Sequence, residues 1–150
     1  MEGLVDLGIF IGDPEDLFAQ NIHTLFFPHG IGHLLGLDVH DMEDIGDVAG
    51  YGIRTRSNLF GLKYLRLNRL LRSNMIITIE PGFYQIPSIL ENEQLRNKYK
   101  GMVNWEKLKF FSDVKGIRIE DDVLVTQRGC QVLSQDLPTQ VKDLEALMNG

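Results

Sequence analysis

The pattern of hydrophobic and polar positions along the chain predicts a β-strand in the segment MIITIEPGFYQI. Alternation there places Ile77 and Ile79 on one face and Thr78 and Glu80 on the other. A Pro-Gly pair then breaks the strand before a further stretch of extended chain. This strand therefore has one apolar face and one polar face that carries a glutamate.

The segment KGIRIEDDVLVT is the second predicted strand. Ile117 and Ile119 share its apolar face, and the opposite face carries Arg118, Glu120 and Asp122. Both strands thus bring a glutamate to a polar face. Either these faces meet water, or, together with histidines elsewhere, they bind a divalent ion of the Mn²⁺ or Zn²⁺ type, which carboxylate oxygen and imidazole nitrogen suit.

A helix is predicted from residue 14 to about residue 24. Asp13 fits its N-cap and Pro14 its first position, because an Asp side chain accepts hydrogen bonds from free N–H groups and proline has no N–H there to satisfy. The inward-facing residues of this helix would be Leu17, Phe18, Ile22 and Leu25.

Further helices are predicted over 88–100, over 104–111 with Asn104 as N-cap, and over 137–150, where Thr139 would begin the helix. The packing residues of the last helix would be Val141, Leu144 and Met148. Strands and helices in this arrangement predict the α+β class, and the 150-residue length predicts one domain over residues 1–150.

Three of the four histidines lie within HGIGHLLGLDVHD, the stretch at 29–41. They are His29, His33 and His40, and a short strand is predicted near 37–40. His23 lies outside this stretch and is predicted to lie on a helix surface. Such a concentration of imidazoles beside two glutamate-bearing strands strengthens the metal-site interpretation.

Charge is unevenly distributed along the chain. The net charge of −6 argues against wholesale nucleic-acid binding. Acids crowd one segment: Asp38, Asp41, Glu43, Asp44 and Asp47. Residues 51–72 then contain cations and no acid: Arg54, Arg56, Lys63, Arg66, Arg69 and Arg72. This basic segment is either a solvated face or an anion site.

The single cysteine, Cys130, excludes an internal disulfide and indicates a reducing, cytoplasmic compartment. It is predicted to be a small buried hydrophobe. The sequence contains no apolar run long enough to span a bilayer, so a membrane partner is not expected.

Three separated motifs together resemble the pita-bread metallopeptidases. They are FFPHGIGHLLGLDVHD, MIITIEPGFY and GIRIEDDVLVT, and they occur in that order. Within that group the chain is most similar to the prolidases, which are Xaa-Pro dipeptidases, because of GLKYLRLNRLLRSNM and a long insertion that contains NWEKLKFF. The resemblance implies the C-terminal portion of a pita-bread fold, with an antiparallel sheet and flanking helices.

The resemblance also implies roles for individual residues. The metal ligands would be His33, Glu80 and Glu120. The catalytic residues would be His40 and Glu80, with Glu80 as the general base. The substrate-binding residues would be His29, His40, Arg66 and Arg118, with Arg66 holding the C-terminal carboxylate of the substrate. After VHD the family usually continues with glycine, whereas Met42-Glu43-Asp44 follow in this chain.

The family's dinuclear site has two further aspartate ligands, which find no match before His33. The resemblance therefore implies only the later part of a catalytic domain, inactive alone and prone to self-association. The intact enzyme would hold two Mn²⁺, with Zn²⁺ or Co²⁺ as alternatives, form a homodimer and hydrolyse Xaa-Pro dipeptides. The alternatives are an aminopeptidase P-type activity on longer Xaa-Pro peptides, or a non-catalytic binding module.

Overall fold

The computed structural model describes residues 1–150, apart from the side chain of Asp44. The chain divides into two compact units. Unit 1 comprises Met1–His29 and Gly82–Ile117, and unit 2 comprises Gly30–Pro81 and Arg118–Gly150. Whether residues 1–150 act as one domain stays a prediction. The combination of helices and antiparallel sheet confirms the α+β class.

The helices and strands are short and alternate along the chain. The α-helices are α1 (Glu2–Asp6), α2 (Pro14–Ala19), α3 (Asp47–Tyr51), α4 (Pro87–Leu90), α5 (Glu93–Lys98), α6 (Trp105–Lys109) and α7 (Val141–Asn149). The strands are β1 (Ile76–Ile79), β2 (Gly82–Tyr84), β3 (Gly116–Arg118), β4 (Asp121–Thr126) and β5 (Gly129–Val132). Two 3₁₀ helices span Ile22–Leu25 and Glu43–Ile45.

Helix α2 begins as predicted but ends earlier. The Asp13 side chain accepts hydrogen bonds from the backbone N–H groups of Glu15 and Asp16. The helix stops at Ala19 because Asn21 adopts a left-handed conformation, with φ of 59°, and a 3₁₀ turn follows. Because the helix does not continue, its period no longer places Phe18 on one face with Ile22 and Leu25. Phe18 is exposed, so the prediction that it faces inward is wrong.

The core of unit 1 joins the early helices to the later ones. Its buried residues are Ile9, Phe10, Leu17, Ile22, Leu25, Phe26, Tyr99, Val103 and Leu108. The Phe26 ring lies 5.5 Å from the Phe10 ring and 5.0 Å from the Phe83 ring, which ties β2 to this core. Asn104 caps α6 by accepting a hydrogen bond from the N–H of Lys107, as predicted.

Unit 2 contains a three-stranded antiparallel sheet in the order β1-β4-β5. Residues 29–41, which we call the histidine-rich segment, pair with β1 along the edge that β4 does not occupy. Backbone N–H groups of Glu80 and Thr78 donate to the carbonyls of Ile31 and His33, at 2.7 and 3.0 Å. Gly32 makes this approach possible, because a Cβ there would lie 1.9 Å from the Thr78 carbonyl oxygen.

Two predicted strands differ from the structure. KGIRIEDDVLVT is divided between β3, which pairs with β2, and β4, which pairs with β1 and β5, so 119–120 lie between two sheets. Residues 37–40 form turns rather than a strand. There Gly36 N–H donates to Asp38 O and Asp41 N–H donates to Leu34 O, and these local bonds close a loop.

The C-terminal helix and the cysteine also differ from their predictions. Helix α7 begins at Val141, with Gln140 rather than Thr139 at the N-cap. The predicted packing residues Val141, Leu144 and Met148 are exposed, and so is Cys130, which is not the buried hydrophobe that was expected. Among the helices that the structure describes, none combines the length and the apolar character needed to cross a membrane.

Candidate metal centre and its rim

His33, Glu80 and Glu120 come together in unit 2. One ligand atom from each side chain lies within 4.8 Å of those from the other two. Three segments of the chain bring them there: His33 lies on the segment paired with β1, Glu80 directly follows β1, and Glu120 lies between β3 and β4. His33 and Glu80 are buried, whereas Glu120 is partly exposed in the connection between β3 and β4.

The hydrogen bond of His33 leaves one ring nitrogen available as a ligand. Nδ1 lies 2.9 Å from the carbonyl oxygen of Leu34. Because a carbonyl oxygen only accepts, Nδ1 carries the proton, and the lone pair of the neutral ring is on Nε2. Nε2 lies 3.5 Å from Glu80 Oε1, so this ring nitrogen faces a carboxylate oxygen. A proton or a metal cation at that point would join the two groups, and a donor set of one imidazole and two carboxylates fits a divalent metal ion.

Thr78 bonds to both buried residues of the cluster, His33 and Glu80, and the sequence did not predict this role. Its hydroxyl oxygen accepts a hydrogen bond from the His33 backbone N–H at 3.0 Å and donates to Glu80 Oε1 at 3.3 Å. The residue is fully buried. The available signal was the strand alternation, which already placed Thr78 on the same face as Glu80.

Arg118 connects the two glutamates. Its Nη1 lies 3.3 Å from Glu80 Oε2, and its Nε lies 3.2 Å from Glu120 Oε2. A guanidinium between two carboxylates offsets their mutual repulsion. For Glu80, the interpretation of a polar face that meets water is wrong, since this side chain is buried and paired.

His40, Glu43 and Arg66 form a second group beside the three clustered side chains, and we refer to it as the rim. The His40 ring stands edge-on to the His33 ring, with the centroids 4.5 Å apart. Glu43 Oε2 lies 3.7 Å from His40 Nδ1 and accepts a hydrogen bond from Arg66 Nη1. The rim side chains are about two-fifths exposed, far more than His33 or Glu80.

Two side chains donate hydrogen bonds to the carbonyl of Leu65 and so hold the backbone next to Arg66. Tyr51 Oη and Arg56 Nη1 each donate to Leu65 O at 2.7 Å. The Arg56 guanidinium lies 4.7 Å from the centre of the Tyr51 ring, and its Nε donates to Asp47 at 2.8 Å. Burial raises the pKa of Tyr51, so its hydroxyl stays protonated as a donor, and the hydrogen bond to Asp47 raises the pKa of Arg56.

The backbone of helix α3 lies against the segment that carries Arg66. A Cβ on Gly50 would lie 1.9 Å from the Arg66 carbonyl oxygen, so only glycine fits there without a shift. Asn68 N–H donates to Gly50 O at 2.7 Å, and Arg69 Nη1 donates to Ala49 O at 2.6 Å. The sequence alone did not predict this arrangement.

The basic segment, residues 51–72, is partly structural. Arg56 and Arg69 donate hydrogen bonds to carbonyl groups, and Arg56 and Arg66 pair with Asp47 and Glu43 of the acidic segment.

The other two histidines belong to unit 1. His29 Nε2 lies 3.1 Å from the Tyr84 hydroxyl, and its ring packs 4.3 Å from the Phe27 ring. His23, predicted to lie on a helix surface, lies in the first 3₁₀ helix, where it is half-buried and stacks on the exposed Phe18 with its Nδ1 buried. Burial lowers the pKa of His23, and the positive amino terminus lowers it further.

A sequence model of metallopeptidase family M24 matches residues 8–127. The chain belongs to metallopeptidase family M24. It is 40% identical over 136 residues to a Xaa-Pro dipeptidase of Xanthomonas oryzae, covering 88% of this chain and 29% of that protein. It is 38% identical to a probable Xaa-Pro aminopeptidase PEPP of Podospora anserina, covering 95% of this chain and 29% of that protein. The M24 chain thus spans less than a third of the length of these curated relatives.

Solved structures agree with this membership. The aminopeptidase PepP of Pseudomonas aeruginosa aligns with a TM-score of 0.60 at 34% identity, over 99% of this chain and 26% of that one. Zinc-substituted E. coli aminopeptidase P, in complex with product, aligns with a TM-score of 0.58 at 34% identity, over the same shares of the two chains. The antiparallel sheet and helices therefore form a portion of the pita-bread fold of the M24 family, as the motifs predicted.

Proposed function

We propose that this chain supplies part of the active site of a metal-dependent Xaa-Pro dipeptidase. The observation that carries the proposal is the convergence of His33, Glu80 and Glu120 within 4.8 Å in a member of a metallopeptidase family. The similarity to Xaa-Pro dipeptidases at about 40% identity supports the choice of substrate class.

We propose His33 Nε2 and the carboxylates of Glu80 and Glu120 as metal ligands, with Mn²⁺ as the native ion and Zn²⁺ or Co²⁺ as alternatives. The hydrogen bonds of Thr78 and of the Leu34 carbonyl orient two of these ligands, as outer groups commonly do in metal sites. A bound divalent pair would lower the pKa of water and polarise the scissile carbonyl.

The protein's own groups would perform the remaining steps. Glu80 would accept the proton from the attacking water, because its carboxylate is buried beside the ligand histidine. His40 would donate a hydrogen bond to the developing oxyanion from its place next to His33. Arg66 would bind the C-terminal carboxylate of the substrate, a task that suits the planar fork of a guanidinium.

His29 and Arg118 are also proposed to contact the substrate. For Arg118, the bonds to Glu80 and Glu120 support a further role as the counter-charge of the two ligand carboxylates. A cytoplasmic location, which the single cysteine favours, and a homodimeric intact enzyme belong to the same proposal.

The decisive experiment measures Mn²⁺ binding to the purified chain by calorimetry and electron paramagnetic resonance. We expect binding by the unmodified chain and at least tenfold weaker binding by Glu80→Gln. Glu106→Gln is the matched control, because Glu106 is an exposed acid that pairs with Lys109 in unit 1. Equal Mn²⁺ affinity of the unmodified chain and Glu80→Gln would contradict the metal site.

Aminopeptidase P-type activity is the second candidate, and the solved structures of aminopeptidase P that align over 99% of the chain favour it. The chemistry is the same, and the substrates differ in length. Hydrolysis of Gly-Pro but not of Gly-Pro-Xaa by the intact enzyme is the result expected for a dipeptidase, and the reverse preference would favour the second candidate. The chain alone is expected to show no useful turnover of Gly-Pro with added Mn²⁺.

A further inference from the structure

One acidic side chain of the rim contacts both of the residues that are proposed to handle the substrate. Glu43 accepts a hydrogen bond from Arg66 and lies 3.7 Å from His40. We propose that Glu43 is a specificity-determining residue, an internal carboxylate that occupies Arg66 until a ligand carboxylate displaces it. This inference rests on the proposed function only in taking Arg66 as the site of the ligand carboxylate.

The backbone presents Glu43 to the rim. Met42 adopts a left-handed conformation with φ of 58°, and the 3₁₀ helix Glu43–Ile45 begins directly after it. Glu43 N–H donates to His40 O at 3.3 Å, and Gly46 N–H donates to Glu43 O at 3.0 Å. These bonds fix the backbone position of Glu43. Its carboxylate therefore leaves Arg66 by rotation of the side chain alone.

The space beside this ion pair is small. His33, His40, Glu43, Arg56 and Arg66 line a cleft with a volume of about 20 Å³. Such a volume holds about one water molecule. A ligand carboxylate that approaches Arg66 Nη1 on this side therefore competes with the Glu43 side chain for the same donor.

Charge determines which ligands can make this exchange. A ligand carboxylate restores the charge neutralisation that Arg66 loses when Glu43 leaves, whereas a neutral amide does not. A neutral amide therefore leaves Arg66 paired with Glu43, whereas a ligand carboxylate has to displace Glu43, so Glu43 sets how much a free carboxylate adds to the affinity. Because both side chains are about two-fifths exposed, the competition is weak and is expected to change affinity about two- to fivefold, the range of exposed ion pairs.

The test compares the binding of Gly-Pro and of glycyl-prolinamide to the full chain by calorimetry, with Mn²⁺ present. Glu43→Gln keeps the size of the side chain and removes its charge. We expect Gly-Pro to bind Glu43→Gln about two- to fivefold more tightly than the unmodified chain, with no change for the amide. Adding Arg66→Ala to Glu43→Gln is expected to abolish the gain.

Glu106→Gln, with the same change in net charge, is expected to bind both ligands like the unmodified chain. An equal gain for Gly-Pro and the amide in Glu43→Gln would show a general charge effect and overturn the proposal, and so would no gain or no measurable binding of Gly-Pro. Circular dichroism and a Glu43→Ala variant check that the turn still folds, and the same gain is expected with alanine.

The two proposals fail in different ways. If Mn²⁺ binding and hydrolysis by the intact enzyme are absent but the gain for Gly-Pro depends on Arg66, the proposed function is wrong and the role of Glu43 stands. If Mn²⁺ binds and the intact enzyme hydrolyses Gly-Pro, but Glu43→Gln binds Gly-Pro no better, the role of Glu43 is wrong and the function stands.

Discussion

The buried side of the candidate metal centre and its rim are built in different ways. His33 and Glu80 are 4% and 7% exposed, and backbone hydrogen bonds between β1 and the histidine-rich segment hold them in place. His40, Glu43 and Arg66 are about two-fifths exposed and contact one another through side chains. The first arrangement fixes the positions of His33 and Glu80, whereas the second leaves exposed side chains able to exchange partners.

This difference indicates which substitutions should affect the metal and which should affect the ligand. On the buried side, a polar atom that loses its partner has no water to replace it, so the loss is large. At the rim, water replaces a lost partner, so a substitution there changes affinity by a small factor. The three predictions that follow test this ordering, beginning with the largest effect.

Gly32→Ala should break the buried side. A Cβ at this position would lie 1.9 Å from the Thr78 carbonyl oxygen, so the histidine-rich segment must move away from β1. We expect loss of measurable Mn²⁺ binding and a lower free energy of unfolding, by about 1–3 kcal/mol or more. Calorimetry and chemical denaturation measure the two effects.

Gly3→Ala is the matched control for this prediction. A Cβ on Gly3 would meet nothing within 4 Å, and the residue lies in helix α1 of unit 1. Its Mn²⁺ affinity should equal that of the unmodified chain. Retention of full Mn²⁺ affinity by Gly32→Ala would contradict the view that close backbone approach positions His33.

Thr78→Val should weaken the site without moving the backbone. Valine has nearly the same shape, but it leaves the His33 N–H and the Glu80 carboxylate without their hydroxyl partner. We expect Mn²⁺ affinity to fall about 10- to 100-fold and stability to fall by about 1–3 kcal/mol. The exposed Thr139→Val serves as control, and an equal result for the two variants would refute the role of Thr78.

Tyr51→Phe should have the smallest effect, because Arg56 still donates to the Leu65 carbonyl. Loss of one hydrogen bond is expected to lower the free energy of unfolding by about 0.5–1.5 kcal/mol and to leave Mn²⁺ affinity unchanged. Tyr64→Phe, at an exposed position, is the comparison. A drop in Mn²⁺ affinity as large as that of Thr78→Val would show that the backbone carrying Arg66 and the buried side of the candidate metal centre are not separate.

Local signals in the sequence predicted the parts of the fold that depend on neighbouring residues. The caps at Asp13 and Asn104 and the strand β1 are each determined by a few adjacent residues, and the structure confirms them. The alternation in β1 also indicated which residues share a face with Glu80.

Predictions that depend on distant contacts were less successful. The division of KGIRIEDDVLVT between two sheets depends on which strands are available as partners. The alternation of apolar and polar residues does not indicate which strands will pair. The predicted helix ends at Ala19, before a left-handed residue at Asn21, so a helical period carried on to Leu25 did not identify the buried face. The two hydrogen bonds that Tyr51 and Arg56 donate to the Leu65 carbonyl depend on how the chain folds back at Leu65. The spacing of these residues in the sequence therefore does not predict them.

The two hydrogen bonds to the Leu65 carbonyl also restrict how Arg66 can change its partner in the rim. With both lone pairs of Leu65 O used, the peptide before Arg66 cannot flip without breaking two hydrogen bonds. Arg66 therefore changes partner by rotating its side chain, a motion that exposed residues complete in picoseconds to nanoseconds, whereas rearrangements of loops take longer. The exchange of Arg66 between Glu43 and a ligand carboxylate is thus expected to change equilibrium affinity without a rearrangement of the backbone.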